Sequence, residues 1–191
     1  MTIPAWDAMG VLPPIRPGEP GNSPDRSPYM IDLPSLVDRF ATSPERVNIL
    51  DGLLRFRTAL HQAGIVSGFQ WFDGSFLEDV EMLESRPPKD MDVVTFFHLP
   101  EGQDQCSLIQ RHKALFDPEQ TKENYAMDAY PVVLGQPTDQ WQVKRVTYWY
   151  SMWSHRRNGL WKGFVEVDLD PAQDASARAL LKNLHGGIRH D

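Results

Sequence analysis

The chain has 191 residues, 41% hydrophobic and 24% charged, with a formal net charge of −7, which suits one domain that buries its own core. The acidic balance excludes coating nucleic acid through bulk charge, because such binding needs clustered Lys and Arg to release counterions. Cys106 is the only cysteine, so no internal disulfide can form. With no apolar run near the roughly 18 residues of a membrane span and no signal-like start, a cytoplasmic protein without a membrane partner is expected.

Residues 1–28 hold seven of the sixteen prolines. Repeated fixed φ and missing N–H donors exclude a helix or a central strand there. An extended Pro-rich arm over 1–28 is therefore expected, laid by Trp6, Met9, Val11, Leu12 and Ile15 along a domain of residues 29–191. Ser43 before Pro44 marks a helix start, and Val47, Leu50, Leu53, Leu54, Phe56 and Leu60 form its apolar stripe up to Gly64. Phe69 to Phe72 reads as a strand that meets Gly74-Ser75. Phe76 to Leu83 has helical spacing, with the acids from Glu78 to Glu84 as a solvated face. Asp90 to Phe97 is a strand, Leu108 to Phe116 a helix, and Tyr125 to Leu134 a strand that Pro131 moves to an edge or a bulge. Thr138 to Trp153 reads as a helix with Trp141, Val143, Val146, Trp149 and Trp153 as core positions. Gly163 to Leu169 alternates like a half-buried strand, and Asp170-Pro171 caps a last helix. This order predicts an α+β fold with α/β character, in which helices pack on a mixed sheet.

Three features in this order carry chemistry. Trp71-Phe72-Asp73-Gly74-Ser75 is a strand entering a turn, Asp90-Met91-Asp92-Val93 opens the next strand, and Met127-Asp128-Ala129 lies in a later one. Strand side chains alternate, so Asp90 and Asp92 share a face roughly 7 Å apart. Two unpaired carboxylates at the end of an apolar strand repel each other and resist desolvation, and a divalent cation relieves both costs. Mg²⁺ (or Mn²⁺) suits a few carboxylates with its remaining positions left for water and phosphates. Gly74 lets a phosphate approach the backbone, and the Ser75 hydroxyl can donate to a phosphate oxygen. Read instead as a capping box with Glu78, Gly74-Ser75 only starts a helix.

The segments Phe72-Asp73-Gly74-Ser75-Phe76, Pro88-Lys89-Asp90-Met91-Asp92-Val93-Val94 and Met127-Asp128-Ala129-Tyr130 resemble the DNA-polymerase-β-type nucleotidyltransferase superfamily, and within it a group of minimal bacterial and phage proteins. The resemblance covers about residues 45 to 170. It implies a nucleotidyltransferase fold, two metal ions held by Asp90, Asp92 and Asp128 as ligands and catalytic residues, and a nucleoside triphosphate (NTP) seated on Gly74 and Ser75. The fourteen residues between Ser75 and Asp90 are more than the superfamily usually shows. Lys162, just before the last strand, is the preferred cation for phosphate. Arg156 and Arg157 in the aromatic segment Tyr148 to Gly163 read either as phosphate contacts or as helix C-terminal charges.

The expected function is metal-dependent transfer of a nucleoside monophosphate from an NTP to the hydroxyl of RNA, a protein or a small molecule. A second reading is a catalytically silent nucleotide- or partner-binding module with the arm as docking element. Small members of that superfamily often work beside partners such as toxins and antitoxins, which adds a protein partner to the expectation. A third reading, a single-stranded RNA binder, is disfavoured by the charge.

Overall fold

Asp32, Ser43, Asp104, Asp117 and Asp139 all sit in extended backbone, and each side chain accepts from an N–H two or three residues on. Those caps satisfy the first free donors of five helices. The helices are α1 (Leu33–Phe40), α2 (Pro44–Gln62), α4 (Gln105–Arg111), α5 (Pro118–Tyr125) and α6 (Gln140–Trp153). The short α3 (Val80–Glu84) and the C-terminal α7 (Asp174–Ile188) complete seven α-helices among the described residues. The computed structural model describes residues 2–188; Met1 of the arm and residues 189–191 of the expected domain lie outside them.

Five strands, β1 (Tyr29–Ile31), β2 (Gly68–Asp73), β3 (Met91–Phe97), β4 (Met127–Val133) and β5 (Val165–Asp168), form one sheet in the order β1-β5-β2-β3-β4. β1 runs parallel to β5 and β4 parallel to β3, while β2 is antiparallel to both its neighbours. The sheet is therefore mixed, with β4 at an edge, where Pro131 needs no ladder donor.

Register and alternation sort the side chains between two faces. Phe69, Trp71, Val94, Phe96 and Tyr130 lie on one face under α6, with Phe69 stacked on Phe96 at 4.7 Å and Tyr130 against Trp149 at 4.7 Å. Phe72, Val93, Thr95, Phe97 and Ala129 lie on the other. There the buried Arg57 of α2 donates to Gln70 Oε1 at 2.8 Å and pairs with Asp174 at 2.9 Å. Both faces are covered by helices, so β3 reads as a continuous buried run from Val93 to Phe97.

The arm joins this core. Val11 and Leu12 are fully buried. The Trp6 indole N–H donates to the Leu77 carbonyl at 2.6 Å, Asp79 N–H donates to the Gly10 carbonyl at 2.9 Å, and Gly163 N–H donates to the Leu12 carbonyl at 2.6 Å. The Arg39 guanidinium lies 4.1 Å from the Trp6 ring centroid.

The structure also departs from expectation. The expected helix from Phe76 to Leu83 is a 3₁₀ turn at Ser75–Leu77 followed, after an extended Glu78, by α3. Glu78 is buried and its side chain reaches inward, so it leaves the solvated face expected for the run Glu78 to Glu84, in which Glu84 stays exposed. Trp141 is 63% exposed and Val143 49% exposed, because the N-terminal turns of α6 lie away from the sheet. Three elements, β1, α1 and α5, add to the expected order; α1 buries Leu33, Leu36, Val37 and Phe40 at helical spacing, whereas in α5 only Thr121 is buried.

Gly52 marks a close crossing, since a Cβ there would lie 2.0 Å from the Tyr125 carbonyl oxygen at the end of α5. In an open helix Gly→Ala gains about 1 kcal/mol. Here the clash reverses the sign, and Gly52→Ala should destabilise the protein by about 2 kcal/mol or more in urea unfolding. A stabilised variant would mean that α2 and α5 are not held this close.

Candidate functional site

β2 and β4 flank β3 so that three aspartates stand in one row. Asp73 is the register partner of Asp92, and Asp92 that of Asp128. Directly opposed residues on neighbouring strands point to the same face about 5 Å apart, and like charges there repel. All three line a cavity of about 740 Å³, together with Gly74, Ser75 and Lys162. Its opposite wall comes from the C-terminal end of α6 and the loop after it, with Trp149, Trp153, His155, Arg156 and Arg157. Asp90, one residue before β3, lies outside this lining, and its carboxylate pairs with Lys122 of α5 at 2.6 Å.

Each acid is balanced differently. The Lys162 ammonium is buried and donates to Asp73 Oδ1 at 2.8 Å and Glu78 Oε1 at 3.1 Å. Arg156 takes the other oxygen of Glu78 at 2.9 Å through Nε. Burial pushes the Asp73 carboxyl up to about 7 against the pull of the Lys162 charge. Burial also works against the charge of Lys162, but Asp73 and then Glu78 more than offset it, so its pKa lies above the ordinary lysine value. Asp92 has no such cation in contact. Its carboxyl is pushed up to about 6 by burial first, then by the charges of Asp128 and Asp90. Tyr130 stands on the same face, and burial followed by the nearby Asp128 raises its hydroxyl to about 12.

The turn at Gly74 is built from glycine chemistry and a buried arginine. Gly74 has φ of 87°, and a Cβ on it would come within 2.6 Å of Asp92 Oδ2. Any side chain there presses on the acid row as well as on the approach to the backbone. Arg46 of α2, fully buried, donates to the carbonyls of Phe76 and Glu78 at 2.6 and 2.7 Å and holds Glu81 in a bidentate pair. Those bonds end the 3₁₀ turn at Glu78. A helix dipole aimed at a phosphate is therefore not available from this three-residue turn. Gly74 is its N-cap without a side-chain cap bond, so Ser75 does not form the capping box with Glu78.

The sequence-predicted residues Gly74, Ser75, Asp92, Asp128 and Lys162 thus meet at one cavity, while Asp90 is held at its edge by Lys122. Asp73 and Glu78 were not singled out for the site, although Asp73 ends an apolar strand next to Gly74, where an isolated carboxylate needs a partner. Among the described residues no group of three or more His, Cys, Asp and Glu is gathered around one point as a metal site requires. The donor chemistry nevertheless fits a hard divalent cation. Asp92 and Asp128 are adjacent oxygen donors, and the raised pKa of Asp92 marks a place that gains from positive charge.

Residues 4–168 match DUF6932, a family of unknown function, and the chain belongs to that family. No curated protein and no solved structure matches the chain. The match includes most of the arm, in keeping with the bonds from Trp6, Gly10 and Leu12 to the rest of the fold.

The raised carboxyl of Asp92 fixes a pH dependence. Below the ordinary carboxylate pKa, folded and unfolded chains are both protonated there and nothing is lost. As pH rises toward 6 the unfolded chain ionises first, so the fold loses stability, and the full cost is present above about pH 6. Asp92→Asn should therefore raise the melting temperature by about 5 °C at pH 8 and by little at pH 3.5. Equal shifts at the two pH values would show that Asp92 ionises without cost. Lys162→Met leaves Asp73 and Glu78 buried without their shared cation, and should cost about 3–5 kcal/mol in urea unfolding.

Proposed function

We propose that this protein is a metal-dependent nucleotidyltransferase with a polymerase-β-type fold, moving a nucleoside monophosphate from an NTP to an acceptor hydroxyl. The observation that carries the reading is the meeting of Gly74-Ser75 with Asp92 and Asp128 at one cavity, on the elements expected from the motif order. The mixed sheet, with β2 leading into the Gly-Ser turn and β3 and β4 presenting the acids, supports the same reading.

Asp92 and Asp128 would hold Mg²⁺ or Mn²⁺, with Asp90 joining them once parted from Lys122. The bound ion would supply charge stabilisation to the phosphates and lower the pKa of the attacking hydroxyl. The chain's own residues do the rest. The Gly74-Ser75 turn, fixed from behind by Arg46 and Trp6, seats the triphosphate. Lys162 and Arg156 hold Asp73 and Glu78 in place, so that Asp73 does not add a third free charge to the row. Arg157, exposed at the rim, faces the phosphates. Trp149 and Trp153 wall the base side of the cavity. Asp128 accepts the proton of the acceptor hydroxyl as its oxygen bonds to the α-phosphorus and pyrophosphate leaves. RNA, a protein or a small molecule could provide that hydroxyl.

A silent nucleotide-binding module is the second reading, and the pairing of Asp90 with Lys122 favours it because the ligand set is then incomplete. Labelled transfer separates the two. With α-labelled NTPs, Mn²⁺ and cell extract as acceptor source, the parent should label a product. Asp128→Asn should keep NTP affinity within a few-fold and lose transfer by about 10² or more. Mg²⁺-NTP binding by the parent with no transfer to any acceptor would leave the silent module as the account.

A further inference from the structure

The deepest departure from the expected site is Asp90, which lies outside the cavity lining and pairs with a single cation. Asp90 stands two residues before Asp92, just ahead of β3, and is near enough for its charge to add to that of Asp128 in raising the Asp92 carboxyl. The Lys122 ammonium lies 2.6 Å from Asp90 Oδ2, and its helix leads directly into β4: α5 ends at Tyr125, Ala126 turns the chain with φ of 58°, and Met127-Asp128 follow. Lys122 is thus attached by one short turn to the strand that bears one acid, and it is paired with another. Its side chain is 55% exposed. Exposed ion pairs of this kind contribute little to stability, so the contact can open at small cost. The lysine stem has four rotatable bonds and a compact charge, which suits a cation that comes and goes.

We propose that Lys122 is a built-in competitor for the divalent cation: its ammonium takes the positive-charge position beside Asp90, and metal binding requires it to swing away. This rests on the reading of Asp90, Asp92 and Asp128 as the metal ligands. Lys122 then sets how much Mg²⁺ or Mn²⁺ the site needs, and keeps Asp90 paired while no metal is bound. It is a positioning residue for Asp90, since it touches the ligand and not the reacting atoms. Regarded only as a basic residue in the last turn of α5, facing the helix dipole, Lys122 would have no effect on metal affinity.

The test titrates Mn²⁺ alone into the full chain and reads free Mn²⁺ by electron paramagnetic resonance, with no substrate and no turnover. Lys122→Ala should bind Mn²⁺ about tenfold more tightly than the parent, the size expected for removing one charge next to a divalent ion in a partly solvated site. Lys122→Arg, which keeps the charge, should stay near the parent. Lys144→Ala, an exposed lysine on α6, controls for net charge and should also stay near the parent. Adding Asp90→Asn to Lys122→Ala should abolish the gain, because the gain comes from the freed carboxylate. Unchanged or weaker Mn²⁺ affinity in Lys122→Ala overturns the proposal, and so does a gain that survives Asp90→Asn. If neither parent nor Lys122→Ala binds Mn²⁺, the metal reading falls together with it. If Lys122→Ala binds Mn²⁺ tightly while the parent transfers no nucleotide, the competitor stands and the transferase reading falls.

Discussion

Three carboxylates side by side across β2, β3 and β4 are the constraint that the rest of this structure answers. A sheet tolerates one buried acid with a partner, and a row of three in register is a concentrated negative charge in a place with little water. Asp73 is paired from within by Lys162, burial raises the pKa of both Asp73 and Asp92, and Asp128 faces the cavity. A chain under selection for stability alone would place apolar or hydroxyl side chains at those positions. Local rules of this kind are commonly broken at functional sites, which makes this row the candidate site.

Buried cations are the complementary half of the architecture. Arg46, Arg57 and Lys162 are each almost wholly shielded from solvent, and each satisfies several acceptors from segments far apart in sequence. Arg46 fixes the turn after Gly74, Arg57 ties α2 to β2 and to the start of α7, and Lys162 joins the strand end at Asp73 to Glu78. Charges of this sort are expensive to bury and more expensive to orphan, so they specify geometry more than they add stability. The turn beside the acids is consequently held by directional bonds to its carbonyls, and its shape does not depend on helix propensity.

Much of the fold was legible because the signals are local. Ser43-Pro44 announced α2, Asp170-Pro171 announced the start of the last helical segment, and Pro131 placed β4 at an edge. β1 and α5 were not legible, since a strand of three residues shows no period and α5 has no apolar stripe. The aspartates of the site were legible from their order, and the cavity brings Asp92 and Asp128 together with Gly74 and Ser75. What stayed hidden was the pairing. That Glu78 turns inward, that Lys162 is shared between two acids, and that Lys122 takes Asp90 all depend on contacts between segments 30 to 90 residues apart. No spacing rule reports such partners.

The arm has a consequence for the order in which the protein is made. It is made before the rest of the domain, yet its anchoring partners come much later: Trp6 bonds to Leu77 across 71 residues, and Ser27 to Phe164 across 137. Loop closure over such distances is entropically unfavourable until the rest of the core offers a template. The arm, made before the rest of this domain, is therefore among its last parts to dock, and until it does, its apolar residues stand open to solvent. A nascent chain halted before Gly163 would lack the partners of Leu12 and Ser27, leaving the later, proline-stiffened half of the arm as a handle for whatever attends the growing polypeptide.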